Sequence, residues 1–170
     1  GMTLEKAKEI IKDEMYFGTM MLKCGDADGL VSGAVHTTAD LLRPGMQIIK
    51  TSPGTKIVSS FFIMDVPSRE YGENGIMFFA DSAVNPNPTS EELACIAIST
   101  ADNARALAGI LPKVALLSFS SMGSAKHELV DKVVEASRIA NELRPDLLIE
   151  GELQLDTAIV PEVCKSKAPN

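Results

Sequence analysis

The stretch "KVALLSFSSMGSAKHELVDKVVEASRIANELRPDLLIEGEL", Lys113 to Leu153, decides the fold. Its first seven residues, Lys113 to Phe119, are the nearly continuous apolar run of a strand covered on both faces. The Ser-rich "SSMGSAKHE" then gives way to an amphipathic helix from about His127 to Leu143, and "PDLLIEGEL" reads as a further buried strand. Outward from this unit, "IVSSFFIMDV" (Ile57 to Val66) and "GIMFFAD" (Gly75 to Asp81) are strands joined by the turn-rich "PSREYGEN", a hairpin-like pair. Ser90, ahead of Glu91, Glu92 and Leu93, starts a helix that runs to about Leu107, and "LDTAIVPEV" forms a last short helix. Strands alternating with helices imply an α/β fold, a mostly parallel sheet with helices on both faces and an antiparallel portion.

The N-terminal third follows the same logic. Leu4, Ala7, Ile10 and Ile11 share one face of a helix over Thr3 to Lys12. A second helix from Asp13 to Leu22 is stopped by Gly25 and contributes Met15, Met20 and Met21 to a core. Leu30 and Val31 suit a strand, and Thr38 to Ile49 a helix with Leu41, Leu42, Ile48 and Ile49 inward. The segment "KTSPGTK", Lys50 to Lys56, is the expected linker.

Composition narrows the function. Of the 170 residues 45% are apolar and 23% charged, as in a folded enzyme or binding domain. The net charge of −7 and 16 dispersed basic residues argue against a nucleic-acid surface. Apolar runs end well short of the roughly 20 residues of a membrane span, and "GMTLEKAKEI" has no signal-peptide core, so a cytoplasmic protein is expected. Cys24, Cys95 and Cys164 are too scattered for a disulfide framework or a zinc motif, and with only His36 and His127 as imidazoles no metal is expected.

Candidate chemistry gathers at loops that follow strands, where helix N-termini and loops converge in open α/β sheets. The first, in "GLVSGAVHTTADLLRP", crowds Ser32, His36, Thr37, Thr38 and Asp40 together, with Arg43 close behind. Small hydroxyl residues and an arginine suit an anion, although Thr37 or Thr38 equally suits a plain helix cap. The second is "DSAVNPNPT" after the FFA strand; the third, "SFSSMGSAKHE", offers Gly123 and serines for a backbone phosphate cradle but matches neither the dinucleotide fingerprint nor the P-loop. Asp81, Glu150, Glu152 and Asp156 lie near strand ends, where each could be a general base, a cap or a solvated side chain. Ser120 or Ser121 with His127, or Cys24 with His36, would make a nucleophile pair, but no Gly-x-Ser-x-Gly elbow supports one.

Five blocks carry a resemblance: "ADGLVSGAVHTTADLLRPGMQIIKTSPG", "VSSFFIMDVP", "FFADSAVNPNPTSEELACIAISTADNARALAG", "KVALLSFSSMGSAKHELVDKVVEA" and "EGELQLDTAIVPEVCKSKAP". Together, in this order and essentially end to end, they resemble the phosphotransacetylase family, the phosphate acetyltransferases. Relatives acting on butyryl groups are similar but less close in these blocks. The resemblance implies a two-domain α/β fold like that of the isocitrate and isopropylmalate dehydrogenases, a homodimer, and an active site in the cleft between domains. Residues 1–52 would then be part of the first α/β domain and 53–170 most of the second. It also implies the reaction of acetyl-CoA and phosphate to give acetyl phosphate and CoA, with CoA as substrate and no resident cofactor. The family's arginine after the "HTTAD" block falls on Arg43, which is expected to be catalytic beside a phosphate held by Ser32, Thr37 and Thr38; no residue is assigned to CoA.

This sequence also departs from the family. Glu150 stands where an Asp is commoner, and "SSMGSA" replaces a Ser-Thr-Lys-Gly arrangement, placing Met122 where a lysine could serve CoA phosphates. The family's Asn-Asp-Leu-Ser-Arg-Gly segment and an upstream arginine are not among these residues, so the chain is expected to be the middle of a longer enzyme with little acetyl transfer of its own. The alternatives are a non-catalytic, ligand-binding or dimerising remnant and a phosphate butyryltransferase-like enzyme.

Overall fold

Small side chains on two long helices let their backbones approach closely, and this interface organises the larger part of the chain. In the computed structural model, which describes residues 2–168, the chain divides into two units, Gly1–Gly54 and Thr55–Asn170.

In the second unit, the antiparallel pair β1 (Phe61–Asp65) and β2 (Ile76–Ala80) runs in the register Phe61 to Ala80 through Asp65 to Ile76. The Phe61 and Phe78 rings lie 5.4 Å apart between centroids. Arg69 binds the Asp65 carboxylate across the turn, and Gly75, at φ 91°, sits where a Cβ would be 2.6 Å from the Val66 carbonyl oxygen. Helix α4 (Ser90–Ala108) starts in a capping box in which Thr89 and Glu92 bond each other's backbone N–H, and ends at left-handed Gly109.

Strand β3 (Lys113–Leu117) pairs in parallel with β4 (Leu148–Leu153), and α5 (Glu128–Leu143) is the crossover between them. Val130, Val133, Ala136, Ser137 and Ala140 repeat at helical spacing and are buried. Ala136 and Ala140 join Ala94, Ala97 and Ala101 of α4 with Leu116, Leu147 and Ile149 in one core. Arg144, just past α5, bonds Asp102 of α4 at 2.9 Å and Asp146 at 2.7 Å. The strand register shifts between Ala115 and Leu117, and Gly151 lies so near β3 that a Cβ would stand 2.7 Å from the Leu116 oxygen. Two short helices, α6 (Leu155–Ile159) and α7 (Pro161–Lys167), follow where one was expected, because Val160 adopts an extended conformation ahead of Pro161.

Here the expectation of helices on both faces is corrected. Both α4 and α5 pack on the side of Val114, Leu116 and Ile149, while Leu117 and Leu148 on the opposite side are exposed. The nearly continuous apolar run of β3 therefore does not mean burial on both faces within this unit. The hairpin and the parallel pair are also two separate two-stranded sheets rather than one mostly parallel sheet.

The first unit contains α1 (Leu4–Ile10), capped by Thr3, and α2 (Glu14–Cys24), capped by Asp13 and ended by left-handed Gly25. Helix α3 (Thr38–Pro44) continues into a π-helical turn, Gly45–Ile49. Of the expected core methionines Met15 is buried, and Met20 and Met21 are half-buried. A concavity of about 410 Å³, lined by Ile10, Ile11, Met20 and Ile48 among others, is apolar. The strand expected at Leu30 and Val31 does not form: both residues are irregular, and Val31 is fully exposed. A strand needs a neighbour to take up its backbone hydrogen bonds, and none of the described residues of this unit forms one.

Candidate functional site

Chemistry-bearing residues collect in two places, one in each unit. In the first unit, Thr37 caps α3: its Oγ1 accepts from Asp40 N–H at 3.2 Å and donates to Asp40 Oδ2 at 2.7 Å. The Thr37 N–H closes the box on Asp40 Oδ2 at 3.2 Å. The Thr37 hydroxyl and N–H hold the Asp40 carboxyl below the usual carboxylate range against the opposing effect of burial, with lesser help from the charges of Arg43 and His36. The capping role and the polar crowding at this junction are thus the same residues. Ser32 Oγ lies 3.0 Å from Met15 Sδ and donates to it, a weak acceptor readily exchanged for an oxygen anion. Thr38, the first helical residue, is exposed, and its hydroxyl has no bond among the described residues. Arg43, in the last turn of α3, is also exposed and makes no hydrogen bond or ion pair among them. His36 Nε2 stands 3.8 Å from Glu14 Oε2. The Cys24–His36 pair has no support: Cys24 is an exposed free thiol, and the nearest charged partner of His36 is a carboxylate.

In the second unit the parallel strands bring two loops to one edge. Ser118 N–H donates to Leu153 O at 2.8 Å, joining the carboxyl ends of β3 and β4. Ser120, Ser121, Glu152 and Thr157 are all buried there. Glu152 Oε1 accepts from Ser120 Oγ at 2.9 Å and from Gly123 N–H at 2.6 Å; Ser121 Oγ accepts from Gln154 N–H at 2.8 Å and lies 3.1 Å from Thr157 Oγ1. Burial acts to raise the Glu152 pKa, but the N–H of Gly123, its own N–H and the Ser120 hydroxyl more than offset this, and the net shift is downward.

The expected phosphate cradle in this loop is corrected by its hydrogen bonds. Every amide from Ser120 to Ala125 is already donated within the protein: to Ser118 Oγ, Ser124 Oγ, Glu152 O, Glu152 Oε1, Ser121 O and Ser120 Oγ in turn. A carboxylate of the chain itself occupies the position an anion would take. The Ser–His pair is not formed either. Ser120 serves Glu152, while His127 Nδ1 accepts from Leu129 N–H at 3.1 Å to cap α5, and its ring meets Phe119 edge-on with centroids 5.7 Å apart.

Asp81, at the end of β2, is held as firmly. Its Oδ1 accepts from Ser60 Oγ at 2.7 Å, Ala83 N–H at 2.9 Å and Val84 N–H at 3.0 Å, and Asn85 donates to the other oxygen. Burial would raise its pKa, yet the bonds from Val84, Ser60, Ala83 and Asn85 prevail and bring it to about 2. Asp156 is tied to Lys167 at 2.8 Å, and Glu150 is exposed. These partners were not visible in sequence. Ser60 precedes Asp81 by 21 residues and Ser120 precedes Glu152 by 32, and no local pattern links either pair.

An α/β unit whose loops gather at the carboxyl edge of a parallel strand pair belongs to a broad class of enzyme scaffolds. Within that class the chain belongs to the phosphate acetyl/butaryl transferase family, whose pattern matches residues 1–170. It is 66% identical over 169 residues to a phosphate acetyltransferase of Thermoanaerobacterium thermosaccharolyticum, covering 99% of this chain and 52% of the relative. It is 51% identical over 170 residues to that of Escherichia coli, covering 100% of this chain and 23% of the relative. A crystal structure of a Streptococcus pyogenes phosphotransacetylase superposes with a TM-score of 0.90 at 50% identity, over 99% of this chain and 50% of that one. The chain thus spans about half the length, or less, of the relatives it matches.

Proposed function

We propose that the protein to which these residues belong is a phosphate acetyltransferase, moving an acetyl group between CoA and inorganic phosphate. The observation that carries this reading is the 66% identity to a curated phosphate acetyltransferase across 169 of the 170 residues. In the direction of acetyl-CoA synthesis, the CoA thiolate sulfur forms a bond to the acetyl carbonyl carbon, the carbon–oxygen bond to phosphate breaks, and inorganic phosphate leaves with that electron pair. Negative charge on the carbonyl oxygen and on the departing phosphate is what the protein must stabilise.

Arg43 suits that task. Its guanidinium is a fixed fork of donors that no carboxylate among the described residues holds. Thr38, with an unengaged hydroxyl, and Ser32, bonded only to sulfur, would add neutral donors to phosphate. Thr37 acts through its cap, because its hydroxyl is committed to Asp40. No resident cofactor is needed for this chemistry, since the thiol and the acyl donor are both substrates. The same reading includes a two-domain fold of the isocitrate and isopropylmalate dehydrogenase kind, a homodimer and a cytoplasmic location, each supported by the family resemblance alone.

The test is to express the complete reading frame that contains this chain and follow thioester formation from acetyl phosphate and CoA, with butyryl phosphate in parallel. Faster turnover of acetyl phosphate is expected. Preference for butyryl phosphate would assign the butyryl side of the family, and turnover of neither would refute the acyltransferase reading.

A further inference from the structure

Asn74 is followed by glycine, whereas Asn85 and Asn87 precede prolines, which have no N–H, and Asn103 and Asn141 lie inside α4 and α5. The Asn74–Gly75 pair closes the turn between β1 and β2. Asn74 is exposed at φ 51°, and Gly75 behind it is buried at φ 91°. The turn constrains both residues: a Cβ on Gly75 would stand 2.6 Å from both the Val66 carbonyl oxygen and Arg69 Nη1, and asparagine enters the left-handed region more readily than most side chains. The fold thus builds in a reactive dipeptide, because glycine has no side chain to shield its amide nitrogen from the carboxamide before it.

The same turn restrains that nitrogen. Gly75 N–H donates to Tyr71 O, and Gly75 O accepts from Val66 N–H, each at 2.9 Å. Arg69 Nη1 donates to Asn74 O at 3.1 Å and also binds the Asp65 carboxylate, so one guanidinium pins the turn to the end of β1. We propose that Asn74 is a site of spontaneous deamidation whose rate is set by the opening of this turn, with Arg69 as its latch. In the opened turn the Gly75 nitrogen gives up its proton and forms a bond to Asn74 Cγ, the Cγ–Nδ2 bond breaks, and ammonia leaves having taken up that proton. Solvent water then opens the resulting cyclic imide at one carbonyl or the other, leaving aspartate or isoaspartate. A nitrogen whose N–H is buried and already donated is a poor nucleophile, so the closed turn reacts slowly and local opening governs the rate. Isoaspartate lengthens the main chain by one carbon, so the Gly75 bonds to Tyr71 and Val66 cannot both re-form, and the hairpin is weakened. The inference is independent of the acetyltransferase reading, since it needs only the turn and water.

The experiment incubates the protein from the complete reading frame at mildly alkaline pH as native wild type, native Arg69→Ala and wild type in urea. Tandem mass spectrometry of proteolytic fragments follows the conversion of Asn74, and isoaspartate methyltransferase labelling counts the isoaspartate. Wild type in urea should convert Asn74 about tenfold or more faster than native wild type, because the turn is then open throughout. Native Arg69→Ala should convert it about fivefold faster than native wild type, the effect of losing charge-assisted bonds at an exposed position. No conversion in urea, equal rates in urea and in the native protein, or equal rates for native Arg69→Ala and wild type would each overturn the proposal. If Arg69→Ala does not fold, Asp65→Asn releases Arg69 from β1 and should speed conversion in the same direction, and an unchanged rate overturns the latch. Amide exchange of native wild type gives a separate reading: Gly75 N–H should exchange about tenfold or more slowly than in the unfolded chain, and unprotected exchange there also overturns the proposal.

Discussion

Arg43 near the end of α3 and Glu152 near the end of β4 are both charged, but their surroundings differ in kind. Arg43 is exposed and unpaired among the described residues, in the last turn of the helix whose first turn Thr37 and Asp40 cap. Glu152 is buried, and its Oε1 takes two donors. An unpaired surface cation costs the fold little and remains available to a ligand, whereas a buried carboxylate is tolerable only when hydrogen bonds saturate it. The difference separates groups whose hydrogen-bonding capacity stays open from groups whose capacity is spent on holding the fold.

The sharpest way to break this comparison is Arg43→Ala. In the complete protein it should lower kcat for acetyl transfer about a hundredfold, while the thermal midpoint stays within about 1 °C because no internal contact is lost. A large loss of stability with unchanged turnover would place Arg43 with the scaffold. Next in size is Ala136→Leu. Ala136 has no exposed surface and lies in the core where α4 meets α5, so three added carbons force the helices apart, at a cost of about 3 kcal/mol in urea unfolding. A stable variant would mean that the small residues at this interface do not set the helix spacing.

A smaller effect is expected from acid. Because the Asp81 pKa falls from 3.8 unfolded to about 2 folded, the folded state holds this proton less tightly. The stabilisation is therefore complete above the unfolded value and fades as pH drops from about 4 to about 2, amounting to roughly 1–2 kcal/mol for this partly exposed group. Asp81→Asn should lose most of that increment at pH 7 and show a flatter stability profile between pH 4 and pH 2; parallel acid-unfolding curves for variant and wild type would remove Asp81 from the saturated class. The smallest change is expected for His127→Ala, which removes the cap of α5 and should cost about 0.5–1 kcal/mol by thermal unfolding. A larger loss would show that His127 supports the neighbouring loop as well as the helix.

What could be read without coordinates was local. Ser90 ahead of Glu91, Glu92 and Leu93 marked the start of α4, amphipathic character marked α5, Gly25 and Thr37 marked helix ends, and the hairpin around "PSREYGEN" followed from its turn residues. The crossover order of β3, α5 and β4 implied a parallel pair. The polar junction at Ser32 to Arg43 was also legible, since hydroxyl residues and an arginine fell within a dozen positions. Leu30 and Val31 misled because strand character in a sequence says nothing of whether a neighbouring strand is present to bond. The serine loop misled for a similar reason: glycine and serines can cradle an anion only if their N–H groups are free, and here Glu152, 32 residues after Ser120, has taken the central place.

Sequence by itself therefore determined the long helices, the hairpin, the parallel order and the family resemblance, because these depend on side-chain periodicity, turn chemistry and blocks of neighbouring residues. Only the tertiary structure decided which polar groups are satisfied and which remain available. Pairings such as Ser60 with Asp81, Ser120 with Glu152 and Arg144 with Asp102 join residues 21, 32 and 42 positions apart. Hydrogen bonds and burial at that separation depend on how elements pack, and a carboxylate is held or left open by what packing brings within about 3 Å of it.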